Sequence, residues 1–216
     1  YAESGDVLAS AGEDGTVRLW RRGHTEPDTI IRHQGRVFCV VFSGDSQHPV
    51  LATGCEDGVV RVFDSYGTLI QKFDEHQGQV NAIAWNRNTR SSWDIASASA
   101  DGTVRLWQLP KVQREPKPSS AKSLAVLQSG GTKIWSLGSV PDEPLLIAGT
   151  ESGNVILWSG YESMPLGILD GHYAPVWSVS VGPAVSQLWT GGWDGTVRRW
   201  DASNAEWMHS GFDAYH

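Results

Sequence analysis

A seven-residue string, Asp-Gly-Thr-Val-Arg-Leu-Trp, constrains this chain more than any other feature. It stands at 14–20 and 101–107 and recurs as DGVVRVF at 57–63, SGNVILW at 152–158 and DGTVRRW at 194–200. Successive copies begin 43, 44, 51 and 42 residues apart. Each follows a short apolar stretch with small residues: VLASAGE, VLATGCE, DIASASA, LLIAGTE and QLWTGGW. An apolar run, an Asp-Gly pair and a second apolar run predict strand, two-residue turn and strand, because Asp-Gly readily adopts the backbone that a tight hairpin needs. A hairpin repeated at this period cannot bury its own apolar face, so the copies must stack on one another.

A second landmark precedes each hairpin. RHQGRVFCVVF starts at Arg32, EHQGQVNAIAW at Glu75 and GHYAPVWSVSV at Gly171. His33 to Asp57, His76 to Asp101 and His172 to Asp194 span 24, 25 and 22 residues. A further apolar strand after each Trp or Phe, as at 68–73, brings every period to four strands. Repeats of about 40–45 residues with this His-to-Trp layout mark the blade of a propeller. On these residues the chain resembles the WD-repeat family along nearly its whole length. The resemblance implies an all-β propeller over 1–216 with five recognisable four-stranded blades. The long interval is explained by PKVQREPKPSSAK at 110–122, a Pro/Lys/Ser surface loop inserted between two strands.

Composition agrees and excludes several functions. Gly occurs 24 times and Trp 11 times in 216 residues, with 40% hydrophobic residues, which fits a globular chain of short strands and tight turns. A net charge of −7 argues against general nucleic-acid binding, whose footprint is basic. Cys39 and Cys55 lack the spacing of a zinc site and read as free thiols in a reducing, cytoplasmic or nuclear setting. The longest uninterrupted apolar run, 37–42, is too short to cross a bilayer. No cofactor or small-molecule substrate is implied.

The recurring Ser or Thr, His and Asp invite a hydrolase reading. Repetition weighs against it, because one triad suggests catalysis whereas a set in most blades suggests architecture. In WD-repeat proteins the set is a hydrogen-bonded tetrad running from turn Asp to His, to strand Ser/Thr, to the indole N–H of Trp. The resemblance places complete sets at His76–Ser97–Asp101–Trp107 and His172–Thr190–Asp194–Trp200. His33–Thr53–Asp57 ends in Phe63, which has no donor, and Ser10, Asp14 and Trp20 lack a His. The fourth blade puts Gly130, Ala148 and Ser152 at the His, Ser/Thr and Asp positions. With Trp158 alone retained, it must rely on packing by Ile134, Leu146, Val155 and Leu157.

The resemblance also implies a partner face, where the His loops and Asp turns surround the central channel. Three positions per blade usually line it. The third residue after His gives Arg36, Gln79, Lys133 and Pro175. The fifth gives Phe38, Asn81, Trp135 and Trp177. The residue before the turn Asp gives Glu13, Glu56, Ala100, Glu151 and Trp193. Trp135, Trp177 and Trp193 fall in consecutive blades and are expected to form an aromatic patch of the kind that dominates interfaces. Glu13, Glu56 and Glu151 suit a partner carrying Lys or Arg. The opposite face offers Arg87, Arg90, Lys111, Arg114, Lys117 and Lys122, which read as a solvated loop or a site for an acidic partner.

These features favour a non-enzymatic scaffold that binds other proteins or peptides within a larger complex. Recognition of a modified peptide, as by a ubiquitin-ligase substrate receptor, is the alternative; it would use Arg36 and Lys133. The first blade starts near its second strand, so an incomplete blade is expected. Residues 205–209 fit a fourth strand for the last blade, while 210–216 match no inner strand. The expectation is an open arc from a larger, seven-bladed propeller.

Overall fold

The computed structural model describes residues 5–44, 49–86, 92–110, 121–140, 143–160, 162–182 and 188–200. Eighteen strands form five antiparallel sheets whose strands pair in chain order. The first holds β1 (Val7–Ala11), β2 (Thr16–Arg21) and β3 (Thr29–Arg32). The second holds β4 (Val37–Phe42), β5 (Leu51–Cys55), β6 (Val60–Phe63) and β7 (Leu69–Phe73). The third holds β8 (Val80–Trp85), β9 (Ile95–Ser99), β10 (Thr103–Trp107) and β11 (Ala125–Gln128). The fourth holds β12 (Ile134–Ser139), β13 (Leu145–Thr150), β14 (Val155–Ser159) and β15 (Gly167–Leu169). The fifth holds β16 (Val176–Val181), β17 (Leu188–Gly192) and β18 (Val197–Trp200). This is a five-bladed run of propeller in which, among the described residues, the first blade shows no inner strand. The fourth strand expected at 205–209 lies outside the described residues, as does the loop over 111–119.

The apolar cores lie between blades. Ala96, Ala98, Val104 and Leu106 of the third blade pack on Ile134, Leu146, Ile156 and Trp158 of the fourth. The fourth then presents Ile147, Val155 and Leu157 to Val176, Leu188 and Trp200 of the fifth. Successive residues of a strand point to opposite faces, so both alternating sets must be apolar in an interior blade. LLIAGT and VILW satisfy this, and all of Leu145–Thr150 is buried. Each buried aliphatic side chain contributes about 1.5–3 kcal/mol, which makes the blade-to-blade seams the main source of stability. Inner strands are also bonded across the seams: Asn81 Nδ2 donates to the Ile134 carbonyl at 2.7 Å and Ser136 Oγ to the Val176 carbonyl at 3.1 Å.

The Asp-Gly hairpins differ from the two-residue turn expected. In the first, the Gly12 amide donates to the Thr16 carbonyl and the Gly15 amide to the Gly12 carbonyl, leaving a three-residue loop, Glu13-Asp14-Gly15. The same contacts recur at Thr150–Asn154 and Gly192–Thr196. Only the last loop residue needs left-handed backbone; it is Gly15, Gly58, Gly102, Gly153 and Gly195, with φ between 73° and 89°. The Asp is thereby freed to use its carboxylate as a cap: Oδ1 of Asp14, Asp57, Asp101 and Asp194 accepts the amide two residues on. The residue before the Asp becomes the outermost point of the turn.

Candidate partner-binding face

In the third blade the tetrad is closed. His76 Nδ1 lies 2.9 Å from Asp101 Oδ2, His76 Nε2 2.8 Å from Ser97 Oγ, and Trp107 Nε1 donates to Ser97 Oγ at 2.8 Å. A carboxylate can only accept, so His76 Nδ1–H donates to Asp101; in the neutral imidazole Nε2 then accepts the Ser97 hydroxyl proton, and Ser97 Oγ accepts the indole N–H. The fifth blade repeats this with His172, Asp194, Thr190 and Trp200 at 2.8–2.9 Å. Burial opposes the charge on Asp101. Hydrogen bonds from His76, the Thr103 hydroxyl and the Gln77 amide outweigh it and hold the carboxyl well below the usual range. Asp194 is held down in the same way, against burial, chiefly by Thr196 and His172. Ser97 and Thr190 are enclosed in the sheets, 0% and 1% exposed, so neither hydroxyl can reach a substrate.

The second blade breaks the set at an unexpected point. His33 Nε2 meets Thr53 Oγ1 at 2.9 Å, but His33 Nδ1 is buried without a partner, and the expected bond to Asp57 is not made. Asp57 instead takes both ends of Arg61, at 3.1 and 2.6 Å. The cause lies two residues past the Asp. Thr103 and Thr196 each donate a hydroxyl to the Asp at 2.7 Å and turn its other oxygen to the His, whereas Val59 has no hydroxyl to do so. Burial, with Arg61 nearby, pushes His33 down to about 4. In the fourth blade Trp158 Nε1 is buried and unpartnered, while the Ser152 hydroxyl, among the described residues, bonds Thr150 at 2.9 Å. In the first, Trp20 Nε1 donates to Ser10 at 3.0 Å and Asp14 holds Arg18 at 2.7 Å.

The three positions expected around the channel are brought together by two devices. The first is a backbone bond within each blade, from the amide before the turn Asp to the carbonyl three residues after His. It joins Glu56 to Arg36, Ala100 to Gln79, Glu151 to Lys133 and Trp193 to Pro175, at 2.8–3.0 Å. The second is a β-bulge in each inner strand, at Val37/Cys39, Val80/Ala82, Ile134/Ser136 and Val176/Ser178. The extra residue in each case is Phe38, Asn81, Trp135 or Trp177. A bulge re-aims the inserted side chain out of the regular alternation. Asn81 is spent on the blade seam, but Phe38 and Trp177 emerge 37% and 52% exposed.

The result is a continuous aromatic run. Trp135 and Trp177 stack with centroids 5.2 Å apart and planes 5° from parallel, and Trp193 meets Trp177 edge to face at 5.2 Å and 82°. Trp193, at its turn apex, is 72% exposed. Tyr173, which sequence reasoning missed, is 92% exposed and lies under Arg198, whose guanidinium carbon is 5.6 Å from the ring centre. The charged positions are largely satisfied among themselves. Lys133 pairs with Glu151 at 3.1 Å and Arg36 with Glu13 at 3.9 Å, while Glu56 accepts the Arg36 amide at 3.1 Å. Of the basic residues expected on the opposite face, Lys122 alone is among the described residues and is exposed. Cys39 and Cys55 are free thiols, both pushed up by burial. Among the described residues no group of three His, Cys, Asp or Glu is placed to hold a metal, and no helix is long and apolar enough to cross a membrane.

Four-stranded blades locked by a His–hydroxyl–indole network are those of a WD-type propeller. The family described as "WD domain, G-beta repeat" matches residues 1–21, 25–64, 67–108, 121–159 and 163–201, and the chain belongs to it. Periodic tryptophan protein 2 of Arabidopsis thaliana is 35% identical over 181 residues, 80% of this chain and 18% of that protein. Target of rapamycin complex subunit wat1 of Schizosaccharomyces pombe is 25% identical over 242 residues, 94% of this chain and 76% of that protein. The chain spans 6–18% of the length of the first curated relatives it matches. A computationally designed protein, Ika8, shares the fold with a TM-score of 0.71 and 24% identity, over 93% of this chain and 57% of that one.

Proposed function

We propose that the chain is a non-enzymatic scaffold that binds a protein or peptide partner on the channel face of its fourth and fifth blades, as part of a larger complex. The observation that carries this is the contiguous Trp135–Trp177–Trp193 run, half-buried at Trp135 and exposed at Trp177 and Trp193, on a rim that backbone bonds hold in place. Preorganised aromatic side chains give large contact area at little entropic cost, which is why they dominate interfaces. Phe38, Arg36, Lys133, Glu13, Glu56 and Glu151 form the surrounding polar and aromatic rim. Membership of a repeat family whose relatives include a named complex subunit supports the scaffold reading. No cofactor, nucleic acid or membrane enters it, and the setting is the cytoplasm or nucleus. The arc of blades belongs to a larger propeller, proposed to have seven. In keeping with this, Trp189 and Val197 on the outer face of the fifth blade are 45% and 67% exposed, although their counterparts Ile147 and Val155 are fully buried.

The alternative, a receptor for a modified, anionic peptide, would need free cations on this face. Arg36 and Lys133 are both already paired with carboxylates, so this reading ranks second. The test is affinity of the full-length protein for a partner that co-purifies with it. Trp193→Ala lowers that affinity at least tenfold with an unchanged melting temperature, and deletion of 111–119 leaves it intact. Loss on the deletion with no effect of Trp193→Ala would assign binding to the opposite face.

A further inference from the structure

We propose that the right-angled corner between Trp177 and Trp193 receives the guanidinium of an arginine side chain on the partner; this rests on the channel-face reading above. An edge-to-face pair of rings leaves a corner with two walls, one the face of one indole and the other the face of its neighbour. Here that corner is a shallow cleft of about 350 Å³ lined by Trp177, Gly192 and Trp193. Gly192 at its floor is imposed by the tetrad behind it: a Cβ there would collide with His172 Nδ1 and lie 2.8 Å from Asp194 Oδ1, so the cleft backs directly onto the buried His172–Asp194 pair. The Trp193 amide, bonded to the Pro175 carbonyl at 2.9 Å, fixes the second wall.

Both walls are π-faces, which carry the negative part of the ring quadrupole and attract cations. A guanidinium is planar with N–H groups around its edge. Laid flat on one indole, it points an N–H edge into the face of the other, so an 82° corner satisfies both of its interacting surfaces at once. A lysine ammonium is a strongly hydrated point charge and gains less from the second wall. An aliphatic or proline side chain gains area only. Charge supports the same choice. The chain carries −7 overall, and the face's cations Lys133, Arg36 and Arg198 are engaged by Glu151, Glu13 and Asp194. The face already holds one such contact, Arg198 on Tyr173.

The test uses saturation-transfer NMR on the full-length protein with five short peptides, Gly-Gly-Xaa-Gly-Gly capped at both ends. Xaa is arginine, citrulline, lysine, proline or phosphoserine. Citrulline keeps the shape and removes the charge. The arginine peptide is expected to bind about fivefold or more tightly than the citrulline peptide. The preference is lost in Trp193→Leu and largely kept in Trp193→Phe, which retains a π-face. Equal binding of arginine and citrulline, tighter binding of proline or phosphoserine, or no arginine signal at all overturns the guanidinium assignment. The partner measurement separates the two readings. If Trp193→Ala still weakens the co-purifying partner while citrulline matches arginine, the channel face stands and the guanidinium falls. If arginine is selected but the partner is indifferent to Trp193→Ala, the corner stands and the channel-face reading falls.

Discussion

The third and fourth blades solve the same problem with different means. Both bury a tryptophan at the end of their third strand, Trp107 and Trp158. Trp107 gives its N–H to Ser97 and, through it, to His76 and Asp101, so the blade is tied to its channel-side loop by charge-assisted bonds. Trp158 gives its N–H to nothing, because Ala148 has replaced the hydroxyl and Gly130 the imidazole. What the fourth blade has instead is burial of every residue of β13, with Leu146 and Ala148 packed in one cluster with Trp93 of the third blade. Packing can therefore hold a blade in place without the network. The network adds a fixed geometry for the loop that carries the channel-face residues.

The largest expected effect cuts the intact network. Asp101→Ala removes the acceptor of His76, Thr103 and the Gln77 amide and leaves Nδ1 of a buried imidazole without its carboxylate, for a loss of about 1–3 kcal/mol in denaturant unfolding. A loss no greater than that of Ser152→Ala would mean that the third blade, like the fourth, is held by packing alone. Asp57→Ala sits between the two blades. Its carboxylate serves Arg61 and the turn amide, not His33, so a loss of about 0.5–1 kcal/mol is expected. A loss equal to that of Asp101→Ala would show that Asp57 reaches His33 after all.

Acid sharpens the same contrast. His33 is depressed to about 4 from 6.5, so the unfolded chain takes up this proton more readily than the folded one. Stability linked to His33 is complete above pH 6.5 and lost as the pH falls from there towards 4. Asp101 and Asp194 are depressed carboxylates, so their contribution is complete above their ordinary value of 3.8 and is lost only below it. Melting temperature should thus fall in two separate stages. His33→Gln should remove the upper stage alone; persistence of that stage would assign it elsewhere.

Much of this was legible in the sequence, and the failures have local causes. The period, the four strands and the blade-four losses at Gly130, Ala148 and Ser152 follow from aligned copies, because each copy meets the same neighbours. The adjacency of Trp135, Trp177 and Trp193 was expected from the family resemblance, by its offsets from His and Asp, and the three rings do adjoin. The reason Trp135 and Trp177 sit together was not legible, since a bulge leaves no mark in the hydrophobic pattern that places the strand. Asp57 was assigned to His33 on its turn position, and the deciding residue was Val59, where Thr103 and Thr196 stand in the intact blades. That signal was present, as DGV against DGT, but its meaning depends on a hydroxyl aimed by the turn. Tyr173 was missed because nothing in the repeat requires an aromatic residue after His.

The smallest effects test whether the fourth blade's polar positions matter at all. Ala148→Ser offers Trp158 an acceptor. The new hydroxyl faces Ile156 across the ladder, as Thr53 faces Arg61, whose carbonyl accepts from the Thr53 hydroxyl at 3.4 Å. A gain of about 0.5–1 kcal/mol is expected. Loss of stability would mean the packed site cannot admit the oxygen. Ser152→Ala, by contrast, should leave unfolding within about 0.5 kcal/mol of the parent. Ser152 is exposed, and its bonded neighbour, Thr150 Oγ1, also donates to the Asn154 carbonyl at 2.8 Å and accepts the Asn154 amide at 3.1 Å. Removing the Ser152 hydroxyl strands no buried group, so the mechanism that makes Asp101→Ala costly is absent. A loss above 1 kcal/mol would show that the turn of the fourth blade keeps a polar lock of its own, built on Thr150 in place of the missing histidine.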